Sequence, residues 1–427
     1  MDGMSSLSVA SPLSRRKMLI GAWVAPAPHM KQYNNKNLIT DKSYRLLRES
    51  GINCIYALYE KFPEYSTSAF QALDYCEKYG IRYLVRDKNC ELGSVDLDTP
   101  YFRKYIRHPA CAGVLFADEP GIEQFPMIRD AWAKFREKTK DKTFFLNLLP
   151  VYAQNEQFLR GAAAWQFGRP RGTKEQYKHY IEEYLSVVQP EYISYDYYPM
   201  EGEFPNITSD HFWQLSYIRK KTLEGGIPFY CFIQCCTWDR DLVRNPIGSE
   251  IVWQVSSALL YGCKGIQYFT FLNPYEEALE GAQFYGNLMD NNGNATEKLS
   301  VVKNINVHLN GIGADMLEGE HLGIMGDAAS LWNIPPEDML SSCGALEGVE
   351  KPCIAGCFRS EGGFMYYVMN PSLVDTAEAR LSFREKVSGK VIRREKTERF
   401  CDNTFRAQVA PGEGILVRIY DDKGILK

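Results

Sequence analysis

The run Gly113-Val114-Leu115-Phe116-Ala117-Asp118-Glu119-Pro120 sets five small or apolar residues in a row before two acids and a proline. An unbroken apolar run of this length is the mark of a parallel strand buried on both faces, and proline, which has no amide hydrogen, ends its pairing. Downstream, Met127, Ile128, Ala131, Trp132 and Phe135 recur at helical spacing and form one apolar stripe. Strand, acidic turn and amphipathic helix therefore make one unit.

The same unit recurs along the first three quarters of the chain. Its strands are predicted at Leu19 to Ala25, Asn53 to Leu58, Tyr83 to Arg86, Gly113 to Ala117, Phe144 to Leu148, Tyr192 to Tyr195, Phe229 to Ile233 and Gly265 to Phe269. Between them, Tyr177, Tyr180, Ile181, Tyr184, Leu185 and Val188 share a helical face, and Thr173 with Gln176 has the spacing of a capping box. Gly51 and Gly80 fall where a left-handed helix end is expected. Eight units, with no GxGxxG after the first strand, favour a closed α/β (β/α)8 TIM barrel over an open doubly wound sheet. After a last helix near Glu297 to Leu317 the pattern shifts to short alternating segments, such as Gly363 to Met369, Val391 to Arg394 and Gly414 to Ile419, which read as a small β-sandwich. The expected organisation is an extension at 1–16 without order, a catalytic barrel at 17–317 and a C-terminal β-sandwich at 318–427.

Composition narrows the function. At 427 residues, 45% apolar and 24% charged, the chain can bury a large core, and a net charge of −4 with no basic run longer than three residues gives no field for nucleic acid or an anionic membrane. No apolar window is long enough to span a bilayer. The segment after Arg15 and Arg16 resembles an export signal, but its apolar run is short and is needed as the first strand, so a cytoplasmic location is expected. The 12 cysteines are scattered through barrel elements and read as reduced thiols; neither Cys353/Cys357 nor Cys235/Cys236 has the second half of a zinc site. No metal or cofactor is expected. A homo-oligomer stays open.

Barrel enzymes carry their reactive groups at the C-terminal ends of the strands. That rule selects Trp23, Tyr56, Arg86, Asp118, Glu119, Asn147, Asp196, Tyr197, Gln234 and Trp238, with Trp165, Tyr275 and Glu276 from long loops. These are carboxylates, amides and aromatics, and none of the six histidines stands among them. Cleaving a glycosidic bond takes two carboxyl groups across a sugar, with amides and indoles to hold hydroxyls and ring faces. Glu119 is the candidate general acid, since hydrophobic walls at the rim would raise its pKa; the competing structural role for Asp118 and Glu119 is capping the next helix. Asp196, among tyrosines, is the candidate base or nucleophile, against a role bracing its own loop. The remaining residues are assigned to substrate binding. The stretches 150–171 and 271–294 are expected to line the cleft.

Taken together, Ile20-Gly21-Ala22-Trp23, His108-Pro109-Ala110 before Asp118-Glu119-Pro120, Asn147-Leu148-Leu149-Pro150, Ser194-Tyr195-Asp196-Tyr197-Tyr198-Pro199 and Gly262 to Phe269 resemble a broad group of bacterial barrel proteins. That group belongs to the glycoside hydrolase superfamily, near the family 42 β-galactosidases, and the resemblance covers roughly residues 17 to 320. It implies a carbohydrate substrate. In the related retaining enzymes an Asn-Glu-Pro motif after strand four carries the acid/base and a Glu after strand seven is the nucleophile. Here Asp118 replaces the Asn and strand seven ends in Gln234, so the second carboxylate falls to Asp196, Glu276 or Glu277. Two other readings stand beside the glycosidase: a sugar-binding barrel without turnover, and a lyase or isomerase acting on sugars.

Overall fold

The structure is a computed structural model that describes residues 12–14, 17–238, 243–274, 284–394 and 396–420. Eight strands form one parallel sheet: β1 Leu19–Ala22, β2 Cys54–Tyr56, β3 Arg82–Val85, β4 Cys111–Asp118, β5 Thr143–Asn147, β6 Ile193–Tyr195, β7 Phe229–Gln234 and β8 Gly265–Phe269. All eight coincide with the strands expected from apolar runs. Their order is β5-β4-β3-β2-β1-β8-β7-β6, and a parallel bridge between Leu148 and Tyr195, with Leu148 N donating to Ser194 O at 2.8 Å, joins the two ends. The sheet thus closes as a barrel. Gly113 is required within it, because a Cβ there would sit 1.9 Å from the Thr143 carbonyl oxygen of β5.

The helices between the strands are α1 Asp41–Glu49, α2 Ser68–Tyr79, α3 Pro100–Tyr105, α4 Phe125–Lys138, α5 Asn155–Arg160, α6 Lys174–Glu183, α7 His211–Gly225 and α8 Gly248–Leu260, followed by α9 Glu297–Glu318. The stripe on α4 is buried at Ile128, Ala131, Trp132 and Phe135. The capping box of α6 forms, with Thr173 N donating to Gln176 Oε1 at 2.8 Å and Gln176 N to Thr173 Oγ1 at 3.2 Å. Gly80 ends α2 at φ +64, the left-handed cap that a side chain would disfavour.

Inside the barrel, Tyr56 stacks on Phe145 at 4.9 Å and Trp23 packs on Tyr56 and Phe232, each at 5.6 Å. Of the stretch 1–16, residues 12–14 are described, and Leu13 and Ser14 are buried: the Leu13 carbonyl accepts from Arg82 and Ser14 Oγ pairs with Tyr230 OH at 2.7 Å. This short piece therefore packs on the barrel, where no order was expected.

The C-terminal part is antiparallel: β9 Glu320–Met325, β10 Leu346–Val349, β11 Ile354–Ser360, β12 Gly363–Met369, β13 Ala377–Arg393, β14 Lys396–Val409 and β15 Gly414–Tyr420. The hydrogen-bonded path is one sheet, β9-β11-β12-β15-β13-β10 with β14 on β13. The long β13 carries the pairing from β10 to β15 past a register shift between Ser382 and Val387, so a single path connects all seven strands, and Leu346, Tyr366, Leu381 and Val417 share a buried apolar cluster among them. Its contact with the barrel helices is polar as well as apolar. Arg219 Nη1 of α7 bonds Asp338 Oδ1 at 3.0 Å, Tyr261 OH donates to Asp338 Oδ2 at 3.1 Å, and Trp253 Nε1 donates to Pro371 O at 3.1 Å. Among the described residues, no helix is long and apolar enough to cross a membrane.

Candidate active site

Glu119 follows β4 in the left-handed region at φ +47. A non-glycine residue held there costs roughly 1–3 kcal/mol, so the surroundings must impose it. They do so from both sides: Glu119 N donates to Asn147 O at 2.8 Å, and Ala162 N donates to Glu119 O at 2.9 Å. The turn is thus clamped between the end of β5 and the loop that follows α5. Its contact with that loop is so close that a Cβ on Gly121 would lie 2.4 Å from the backbone nitrogens of Arg160 and Gly161.

Asp196 follows β6 and is buried, 7% exposed. Asn147 Nδ2 donates to its Oδ1 at 3.2 Å, and the Glu119 carboxyl stands near enough to lower its pKa. Burial, reinforced by the charge of Asp118, pushes the pKa of Asp196 up to about 7; Asn147 and Glu119 pull the other way. Asp118 is also raised by burial, offset first by Arg86 and then by Asn147 and Lys61. Three carboxyls and two cations therefore meet where β3, β4, β5 and β6 end. A carboxyl that titrates near neutral pH beside a second carboxyl is suited to giving up a proton and taking one back.

The structure brings together Arg86, Asp118, Glu119, Asn147 and Asp196 of the expected set. The others fall elsewhere. Tyr56 is wholly buried behind the site, donating to Gln267 Oε1 at 2.5 Å, and Trp23 is a barrel-core ring. Tyr197 turns its hydroxyl to Thr208 Oγ1 at 2.6 Å and packs on Tyr152 at 5.3 Å. Gln234, expected to bind substrate, is buried with its amide tied to backbone: Oε1 accepts from Met200 N at 3.1 Å and Nε2 donates to Arg244 O at 2.8 Å. It braces a loop. Trp238 packs on Tyr198 at 5.1 Å, whose phenol feels the charges of Asp196, Glu119 and Asp118, so this indole lies one ring beyond the cluster. Trp165 is half-buried beside Phe167, which is 90% exposed, and Trp165 N donates to Ala162 O at 3.1 Å, one hydrogen bond removed from Glu119. Tyr275, Glu276 and Glu277 lie outside the described residues.

Two participants escaped sequence reasoning. Lys61 comes from the loop after β2, where the strand-end rule pointed to Tyr56 instead. Tyr152 sits in the loop after β5, close to Asp196 and Glu119, accepts from Tyr198 N at 3.3 Å and carries the Arg171 guanidinium over its ring at 5.1 Å. Arg171 in turn pairs with Glu201 at 2.6 Å. The long loop after β5 was a signal for such a residue, since it supplies both Tyr152 and the Ala162 clamp.

No protein-family model matches the chain, and no curated protein matches it. Among solved structures it is similar to a catalytic mutant of a family 42 β-galactosidase from G. stearothermophilus, at 9% identity, 97% coverage of this chain, 100% of that one and a TM-score of 0.51. It is also similar to a family 27 β-L-arabinopyranosidase from Geobacillus stearothermophilus (9% identity, 97% and 98% coverage, TM-score 0.43) and a family 39 glycoside hydrolase from Bacteroides cellulosilyticus (11%, 94% and 80%, 0.41). At these identities the likeness is one of fold, and of these three only the family 42 structure has a TM-score above 0.5.

Proposed function

We propose that the chain is a glycoside hydrolase in which Glu119 is the general acid and Asp196 its base or nucleophile, acting on a carbohydrate substrate without metal or cofactor. What supports this reading is that Glu119 and Asp196 directly follow β4 and β6 at the C-terminal end of the barrel and that the Glu119 carboxyl acts on the pKa of Asp196. Glu119 gives its proton to the departing glycosidic oxygen, and Asp196, as the carboxylate, attacks the anomeric carbon or draws a proton from water. Asp118, Arg86 and Lys61 add the fixed charges beside the pair, and Trp165 and Trp238 offer ring faces for sugar.

A retaining pair of carboxyls stands roughly 5–5.5 Å apart and an inverting pair roughly 6.5–9.5 Å. The amide of Gln234 at the end of β7, held on backbone groups, favours a second reading, a barrel that binds sugars without cutting them. A panel of chromogenic α- and β-glycosides and oligosaccharides, run alongside calorimetric binding of the same sugars, separates the two. Turnover that is lost in both Glu119→Gln and Asp196→Asn supports the hydrolase; binding with no turnover of any member selects the second reading.

A further inference from the structure

Behind Asp196 a line of buried polar side chains crosses the barrel interior from β2 to β6. Tyr56 OH donates to Gln267 Oε1 at 2.5 Å, Gln267 Nε2 to Ser194 Oγ at 2.9 Å, Ser194 Oγ to Asn147 Oδ1 at 2.9 Å, and Asn147 Nδ2 to Asp196 Oδ1 at 3.2 Å. Every one of the four is at most 3% exposed. Gly21 leaves the room for it: a Cβ there would lie 2.7 Å from the Tyr56 hydroxyl and 3.2 Å from Gln267 Cγ.

The direction of such a line is set by its ends. Run as observed, each group donates forward and the last one presents an NH2 group to a carboxylate. Run backwards, Asn147 would turn its oxygen to Asp196, and Tyr56 would have to accept from Gln267. The Tyr56 hydroxyl has that one hydrogen bond among the described residues, so its own hydrogen would then be buried without an acceptor, which costs more than a net hydrogen bond gains. The phenol is thus the terminal donor that forbids the reverse order.

We propose that Tyr56, Gln267 and Ser194 are positioning residues that lock the Asn147 amide with its NH2 group toward Asp196, and so set the pH range in which the Asp196 carboxylate exists. The proposal rests on the reading of Asp196 as the working base only for its catalytic consequence; the lock itself is a property of the fold. Other groups face Asp196 from the elements around it. Glu119 and Asp118 come from the end of β4, Tyr152 from the loop after β5, Tyr177 from α6 and Tyr198 from the loop after β6, while Arg86 and Lys61 act through Asp118. None of these except Asp118, on whose carboxyl the Asn147 amide also acts, is tied to the line, so breaking the line reports on that amide. With the Asn147 amide free to turn its oxygen toward Asp196, a donor to the carboxylate is lost and protonation becomes easier.

The test is a direct titration. Full-length protein carrying carboxyl-13C aspartate is followed by NMR against pH, with the Asp196 signal assigned by its absence in Asp196→Asn. The midpoint should rise by about one pH unit or more in Ser194→Ala and in the near-isosteric Tyr56→Phe, and Ser194→Thr should restore it. An unmoved midpoint in Tyr56→Phe overturns the proposal even if Ser194→Ala shifts, because the lock would then not reach the phenol. So would a Ser194→Thr variant that titrates like Ser194→Ala. The measurement reads no turnover, so a protein that titrates as expected but cleaves no glycoside refutes the hydrolase reading and leaves the lock standing.

Discussion

Replacing Asp196 by Asn keeps the side chain's shape and removes its ability to ionise, and the pH dependence of stability should register the difference. In the folded chain burial and Asp118 raise this carboxyl from 3.8 to about 7. The folded pKa lies above the unfolded one, so between those values the folded chain keeps a proton that the unfolded chain has released. The wild type therefore loses stability as pH rises from about 4 to about 7, and the loss is complete above that. Each pH unit of displacement corresponds to about 1.4 kcal/mol, which sets a ceiling of roughly 4 kcal/mol. Interaction with the neighbouring carboxyls spreads the titration, so an effect of about 2–4 kcal/mol is expected. Urea denaturation near pH 4.5 and near pH 8 measures it. Tryptophan fluorescence suits the barrel, since six of the seven tryptophans, all but Trp332, lie in it. Relative to the wild type, Asp196→Asn should gain stability by that amount on going to the higher pH. Parallel pH profiles for the two proteins would refute a buried, proton-holding Asp196.

Three further outcomes follow from packing and geometry. Gly121→Ala forces a Cβ to within 2.4 Å of the Arg160 and Gly161 amides and should cost about 1–3 kcal/mol in thermal or urea unfolding, while displacing the clamp on Glu119. Lys264 is buried, its pKa lowered by that burial to about 8, and its Nζ donates to Met316 O and Gly319 O at 2.6 Å each, at the end of α9. Lys264→Met should lose about 2–4 kcal/mol in the same assay through those unsatisfied carbonyls. Trp165→Ala should raise KM for an oligosaccharide more than it lowers kcat, which steady-state kinetics resolves, because the indole can hold a sugar ring without touching the bond that breaks.

The barrel was legible in the sequence because its signal is repeated: each strand is a continuous apolar run, and each is followed by a helix with its own period. A single strand such as Ile193–Tyr195, three residues long, would not stand out without the seven others. The carboxyls were legible for a related reason, since Asp118, Glu119 and Asp196 are polar residues placed directly at the ends of apolar runs. What sequence could not rank was direction. Tyr56, Asn147 and Gln234 all stand at strand ends, yet one side chain points into the cluster and two are spent on buried hydrogen bonds, a choice made by partners such as Gln267 and Arg244 far away in the chain. Lys61 and Tyr152 lie in loops, where no periodicity marks a residue.

The central claim is that Glu119 delivers a proton to a leaving glycosidic oxygen, and leaving-group dependence tests it most directly. For a glycoside that the wild type cleaves, kcat/KM is measured in wild type and Glu119→Gln with an activated aryl leaving group and with a sugar or alkyl one. Glutamine keeps the size and bonding reach of Glu119 but has no acidic proton. The account predicts a loss of about 10² to 10⁴ for the poor leaving group and a much smaller loss for the activated one. Equal losses on both, or full activity of Glu119→Gln on the poor leaving group, would contradict it.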